Sequence, residues 1–137
     1  MKRIVHMKTE GELMNYEIYT PDTQEKKLPM IVFLHGAGER GWNIDHLAKH
    51  GIPMMIKNGA EIPAVVLCPQ CPANCVWDNI PFDVMALIEK MREDSARLER
   101  EIEALCTKLL LQQQRSLLPY QVLLRLVGDA KLSFLRS

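Results

Sequence analysis

The 137-residue sequence predicts an α/β layered domain followed by a Leu-rich helical tail. Three observations carry that expectation. Met30-Ile31-Val32-Phe33-Leu34 is an uninterrupted apolar run between Pro29 and a glycine cluster. Such a run reads as a strand buried on both faces. Pro63–Leu67 is a second run of the same kind, with a helical stretch between the two. A strand–helix–strand order calls for a parallel pair joined by a right-handed crossover. From about residue 81, apolar side chains recur at Val84, Ile88, Met91, Leu98, Ile102, Leu105 and Leu109, with Ser95 filling the one polar position. These steps of four and three predict a long amphipathic helix.

Taken in order, Arg3–Met7 is a weak first strand. Leu13–Tyr19 is a better one, because Met14, Tyr16 and Ile18 alternate with the polar Asn15 and Glu17. Residues 21–28 form a polar turn into the Met30–Leu34 strand. That strand empties into His35-Gly36-Ala37-Gly38-Glu39-Arg40-Gly41, whose glycines let the backbone turn sharply and leave N–H groups unpaired. Strand ends of this kind are where open α/β sheets place ligand sites, although a plain strand-to-helix turn is the simpler alternative. If Gly36 or Gly38 takes positive φ, a Cβ there costs on the order of 1 kcal/mol. Asn43 is placed to cap a helix through Ile44, Leu47 and Ala48, which Gly51 would end, and Pro53 to begin a further turn closed by Asn58-Gly59. Asp78 or Asn79 can cap the long helix, with Pro81 in its first turn.

The glycine-rich loop and its preceding strand, LPMIVFLHGAGERG, resemble the third strand and oxyanion loop of α/β-hydrolases of the esterase, phospholipase/carboxylesterase and dienelactone-hydrolase type. Pro63–Pro72 with the nearby Trp77 is similar to the next strand of these enzymes, which often ends in Pro-Gln-Cys-Pro. The resemblance covers about residues 1–92. It implies an incomplete α/β-hydrolase-like sheet and a carboxylic-ester hydrolase label. It also implies an oxyanion-hole loop formed by Gly36, Ala37 and Gly38, in which the Ala37 N–H is the donor. His35 is then a structural residue of the loop and not the catalytic base. With Arg40 it supports the loop.

The remaining parts of that chemistry are missing. Acyl transfer needs an activated nucleophile and a base held by an acid as well as an oxyanion hole. The nucleophile elbow, G-x-S-x-G, is absent. None of Ser95, Ser116, Ser133 and Ser137 is flanked by glycines, and no histidine follows His50. No catalytic set is complete. The expectation is a chain that stops before the nucleophile and is inactive alone.

Other chemistries leave weaker traces. Cys68, Cys71 and Cys75 are spaced C-x2-C-x3-C, and His46 and His50 lie four apart. Stiffening by Pro69 and Pro72 and the lack of a third ligand argue against metal at either place, so no metal and no cofactor are expected. Buried or half-buried free thiols fit the cysteines better. Glu39 and Arg40 read either as a solvated turn or as a binder of a small anion through Arg40.

The composition divides the chain. Residues 1–93 hold six of the seven glycines, seven of the eight prolines and all four histidines, whereas residues 94–137 hold twelve leucines. The predicted units are therefore 1–93, hydrolase-like, and 94–137, a helical tail. The helix starting near Pro81 either runs on to about Gln114 or breaks near Asp94-Ser95. Beyond Pro119, the tail reads as a helix folding back or as a β-hairpin across Gly128-Asp129. The net charge of zero gives no general attraction to nucleic acid or membrane. No signal-peptide pattern or ~18-residue apolar run is present, so the cytoplasm is the expected location. The expected partners are an ester substrate, by resemblance, and a second copy joined through the helix seam or an open sheet edge. The rival class is a non-catalytic interaction module built on the heptad helix. A small-ligand binder using the loop N–H groups and Arg40 is a third.

Overall fold

The computed structural model describes residues 1–25 and 27–113, so the helix and hairpin readings of the tail beyond that point lie outside the described residues. The chain divides into two compact units, Met1–Ala86 and Leu87–Ser137. The first is mixed α/β, with a four-stranded sheet of β1 (Lys2–His6), β2 (Tyr16–Thr20), β3 (Met30–Val32) and β4 (Val65–Pro69). The strand order is β1-β2-β4-β3. β1 and β2 pair antiparallel with Ile4 opposite Ile18, and β2 runs antiparallel to β4 with Ile18 opposite Leu67. β3 and β4 are parallel, with Ile31 opposite Val66. Two further bonds lengthen this last ladder, Val65 N–H to the Pro29 carbonyl and Phe33 N–H to the Leu67 carbonyl, both 2.9 Å.

The fully buried strand is β4, in which Val66, Leu67 and Cys68 are at most 1% exposed. β3, expected to be buried on both faces, is only partly covered; among the described residues it is an edge strand, as the open sheet edge expected from the resemblance requires. Met30 is 39% and Leu34 45% exposed. An apolar run alone cannot separate a central strand from an edge one, because the run does not specify what pairs with it. The alternation in β2 misleads in the same way. Asn15 and Glu17, expected on a wet face, are 1% and 0% exposed. Most of β2 is buried on both faces, and its polar side chains are satisfied only in part. Arg3 Nε donates to Glu17 Oε2, and the Tyr19 hydroxyl donates to the same oxygen at 3.1 Å.

Between β3 and β4 the chain forms a 3₁₀ turn, Ala37–Glu39, a 3₁₀ segment, Ile44–Lys49, and helix α1, Gly51–Lys57. Asn43 caps the 3₁₀ segment, its side-chain oxygen accepting from the Asp45 N–H at 3.1 Å. α1 ends in a Schellman closure: Ala60 N–H bonds the Met55 carbonyl, and Gly59 N–H bonds the Ile56 carbonyl. One face of this connection packs on the sheet through Leu47, Tyr19, Val66 and Cys68, flanked by Phe33, Ile44, Ile52 and Ile56.

Helix α2 is Pro81–Gln113 and passes Asp94-Ser95 without a break. Its first turn is capped by Ile80, whose carbonyl accepts the Val84 N–H at 3.2 Å. Asp78 and Asn79 instead lie in a 3₁₀ turn, Trp77–Asn79. In the second unit Leu98, Ile102 and Leu109 are half-buried, Leu105 is 52% exposed, and Cys106 is half-buried in its place. The reason is the helical period. Cys106 lies five full turns from Ile88 at ~3.6 residues per turn, whereas a strict seven-residue repeat drifts. Arg97 lies 3.8 Å from both Asp94 and Glu101, one turn away on either side.

Neither Gly36 nor Gly38 has positive φ; that conformation falls on Gly11, Gly41, Gly51 and Gly59. Gly51, where 3₁₀ segment meets helix, is the tightest of these. Its φ is +64°, and a Cβ there would sit 2.2 Å from Phe33 Cζ. A left-handed side chain and a forced shift of a half-buried ring together cost roughly 2–4 kcal/mol. Gly38 has nothing within 4 Å of its Cβ position. Urea unfolding should therefore show Gly51→Ala destabilised by about 2–4 kcal/mol and Gly38→Ala within ~0.5 kcal/mol of the parent.

Candidate functional site

The loop after β3 is built around one imidazole. His35 is 4% exposed. The Cys71 backbone N–H lies 2.9 Å from His35 Nε2. An amide N–H only donates, so Nε2 is the acceptor and the ring proton sits on Nδ1. Nδ1 then donates to the Gly36 carbonyl at 2.6 Å. Trp77 Nε1 donates to the His35 carbonyl at 2.9 Å, and its ring meets the imidazole edge-on at 5.0 Å. One side chain thus joins the loop after β3 to the segment after β4.

A second tie runs through Gln70, which is 0% exposed. Its Nε2 donates to the Glu39 carbonyl at 3.0 Å and to the Asn43 carbonyl at 2.8 Å. Asn15 completes this layer. Its Nδ2 reaches the Trp42 carbonyl at 3.2 Å, its Oδ1 accepts from the Lys8 N–H at 2.7 Å, and its own carbonyl accepts the Gln70 N–H at 2.8 Å. Gly41 N–H bonds the Cys71 carbonyl at 2.9 Å. Arg40 straps the outside, with Nε 3.1 Å from the Ala37 carbonyl and a terminal nitrogen 3.1 Å from the Cys75 carbonyl. The solvated-turn and anion-binding readings of Arg40 both miss this use of its donors on backbone carbonyls.

The result is a turn whose exposed side carries Gly36, Ala37 and Gly38. Glu39 N–H returns to the Gly36 carbonyl at 3.4 Å. In a 3₁₀ turn this is the first internal bond, so the Ala37 and Gly38 N–H groups precede the turn's own bonding. An open groove of about 260 Å³ adjoins the turn, lined by His35, Gly36, Ala37, Arg40, Cys71, Val76 and Trp77 and not by Gly38. The sequence-predicted loop residues are thus brought together. Gln70 and Trp77 were recognisable only as parts of a family pattern. Asn15 carried no signal beyond being a polar residue inside an apolar alternation.

The other candidates are dispersed or altered. The helix expected to align His46 with His50 is interrupted: the 3₁₀ segment stops at Lys49, and His50 is extended at φ −146°. His50 Nδ1 instead lies 2.5 Å from Glu39 Oε1. That hydrogen bond holds the Glu39 carboxyl below its usual pKa against the burial that would raise it. Burial and the nearby Glu17 push the Cys68 thiol up to about 12, and burial raises Cys71 as well. Both are protonated thiols at neutral pH, not nucleophiles. Among the described residues no three His, Cys, Asp or Glu side chains converge as a metal site. No helix among them is long and apolar enough to cross a membrane.

No protein-family model matches the chain, and no curated protein matches it. A solved structure, the crystal structure of a thermostable esterase, is similar at 24% identity and a TM-score of 0.44. The match covers 67% of this chain and 29% of that one, so the chain spans less than a third of the esterase chain. The functional reading rests on this chain's own residues.

Removing the imidazole leaves the buried Cys71 N–H without its acceptor, at ~1–3 kcal/mol, and opens a cavity beside Trp77. His35→Ala should lower stability by about 2–4 kcal/mol. Trp77 fluorescence should shift to the red in the folded variant, as read by titration with urea.

Proposed function

We propose that this chain is the oxyanion-loop portion of an α/β-hydrolase-like carboxylic-ester hydrolase, and that its own residues do not perform acyl transfer at an enzymatic rate. The observation that carries this reading is the His35–Gly38 turn. Its Gly36 and Ala37 line a groove, while His35 is held by the Cys71 N–H and by Trp77. Preorganised N–H groups beside a half-apolar groove suit a developing acyl oxyanion, since they need no reorganisation when charge appears. The Ala37 N–H is the donor in this reading, and Val76 and Trp77 flank the acyl portion. The loop motif and the Pro69-Gln70-Cys71-Pro72 segment support the same family.

A hole of this kind stabilises a tetrahedral adduct but does not form one. A nucleophile with its base is needed, and the sequence contains no G-x-S-x-G and no histidine beyond His50. A second reading, a module that recruits a partner through α2, draws support from the exposed Leu105 and Leu111 on that helix.

The test is direct. The pure protein should not react stoichiometrically with a serine-directed fluorophosphonate, and short activated esters should turn over no faster than surface imidazoles and amines allow. Labelling of one serine to completion, read by intact mass, would overturn the claim that a nucleophile is missing.

A further inference from the structure

The four histidines occupy different environments. His35 has both ring nitrogens engaged and is buried. His6 is stacked on Tyr16 at 4.6 Å, and its Nε2 lies 2.8 Å from Glu12. His46 is half-buried, with no carboxylate of the described residues within ion-pair distance. His50 alone combines a buried carboxylate behind the ring with an open front. Its side chain is 76% exposed, while that of Glu39 is 5% exposed. The carboxylate only accepts, so Nδ1 carries the proton and the lone pair of the neutral ring sits on Nε2, on the far side.

Glu39 is itself fixed. Its carbonyl accepts from Gln70, its N–H bonds the Gly36 carbonyl, and its Oε2 lies 3.4 Å from the Cβ position of Gly36. The pair is therefore anchored to the underside of the loop and is not a chance surface contact. A ring oriented by a carboxylate and presenting a free nitrogen is the arrangement that makes imidazole a base or nucleophile.

We propose that Glu39 and His50 form a carboxylate–imidazole pair that accepts acyl groups from activated esters at His50 Nε2. Nε2 attacks the acyl carbon. The Nε2–C bond forms as the C–O bond to the leaving alcohol breaks, and the alcohol departs as its anion. The acyl-imidazolium keeps its Nδ1 proton against Glu39, which steadies the positive charge. Water then adds to the acyl carbon and loses one proton to solvent, where the departed alkoxide takes one up to become the alcohol; the Nε2–C bond breaks, and the carboxylic acid is released with return of the neutral ring. Ester and water are consumed, acid and alcohol are produced, and no further reactant is needed. His50 is the reacting group and Glu39 its positioning residue. Glu39 belongs to the hydrolase-like loop and His50 lies beyond it; the pair stands whether or not the loop binds an oxyanion.

Limited diethylpyrocarbonate labelling of the full chain, read by peptide mass spectrometry, tests the assignment. His50 should react at least about threefold faster than His46 and His6, and Glu39→Gln should remove that lead while His35 stays protected, showing an intact loop. The release of nitrophenolate from p-nitrophenyl acetate should fall about threefold or more in His50→Gln, an exposed position where folding is retained, and be unchanged in His46→Gln. Equal labelling of His46 and His50 in the parent, or an unchanged release rate in His50→Gln, overturns the proposal. A His50 labelling rate unaffected by Glu39→Gln removes Glu39 from it. Should Glu39→Gln fail to fold, the His50→Gln release rate decides.

Discussion

The hydrogen bond from the Cys71 amide to His35 Nε2 is the constraint on which the rest of the loop depends. It fixes the tautomer, and the tautomer fixes the second bond, from Nδ1 to the Gly36 carbonyl. A side chain that accepts on one nitrogen and donates on the other can bridge two backbone segments only in one orientation. With that orientation set, the Gly36 carbonyl is held by the ring, and Gly36, Ala37 and Gly38 remain exposed around it. A Gln could supply one donor and one acceptor, but not with the rigid spacing of the ring.

The ring works because the sheet places its two partners. β3 and β4 are parallel neighbours, so both strands deliver their C-terminal ends to the same edge of the sheet. His35 follows one and Cys71 the other. Gln70 and Asn15 then close the space beneath, each with donors and acceptors matched to backbone groups of the loop. A buried amide network of this kind is costly unless nearly every member is paired. Its members are paired here, whereas within β2 the Glu17 Oε1 and Thr20 Oγ1 atoms are buried without a hydrogen-bond partner among the described residues. The loop is thus the well-satisfied end of the domain, consistent with a turn that has to hold its shape before anything binds.

Much of this was legible in the sequence, for identifiable reasons. The two apolar runs and the helix between them specified a parallel pair. The glycine-rich stretch specified a turn at its end. The seven-residue recurrence left one helix to about Gln114 or two broken near Asp94-Ser95, and the structure takes the first, over Pro81–Gln113. What sequence missed depends on long-range pairing. The open edge beside Met30–Leu34 was expected from the resemblance, which stops before the neighbouring strand; what the apolar run misjudged is the cover on its faces, since Met30 is 39% exposed. Asn15 and Glu17 look like solvent-facing positions of an alternating strand, but β2 is covered on both sides. The demanding glycine is Gly51 and not Gly36 or Gly38, because its constraint comes from the Phe33 ring, 18 residues away in sequence. Glu39 and His50 are eleven residues apart and meet only because the helix expected around His46 gives way to a 3₁₀ segment.

The central claim is that a single imidazole, in one tautomer, holds the loop to the segment after β4. The most direct measurement is the pair of ring ¹⁵N shifts of His35, correlated with the exchange rate of the Cys71 amide. The account predicts a protonated Nδ1, an unprotonated Nε2 and a Cys71 amide protected from exchange as strongly as the amides of β4. A ring protonated on Nε2, or a Cys71 amide exchanging at the rate of an exposed loop, would contradict it.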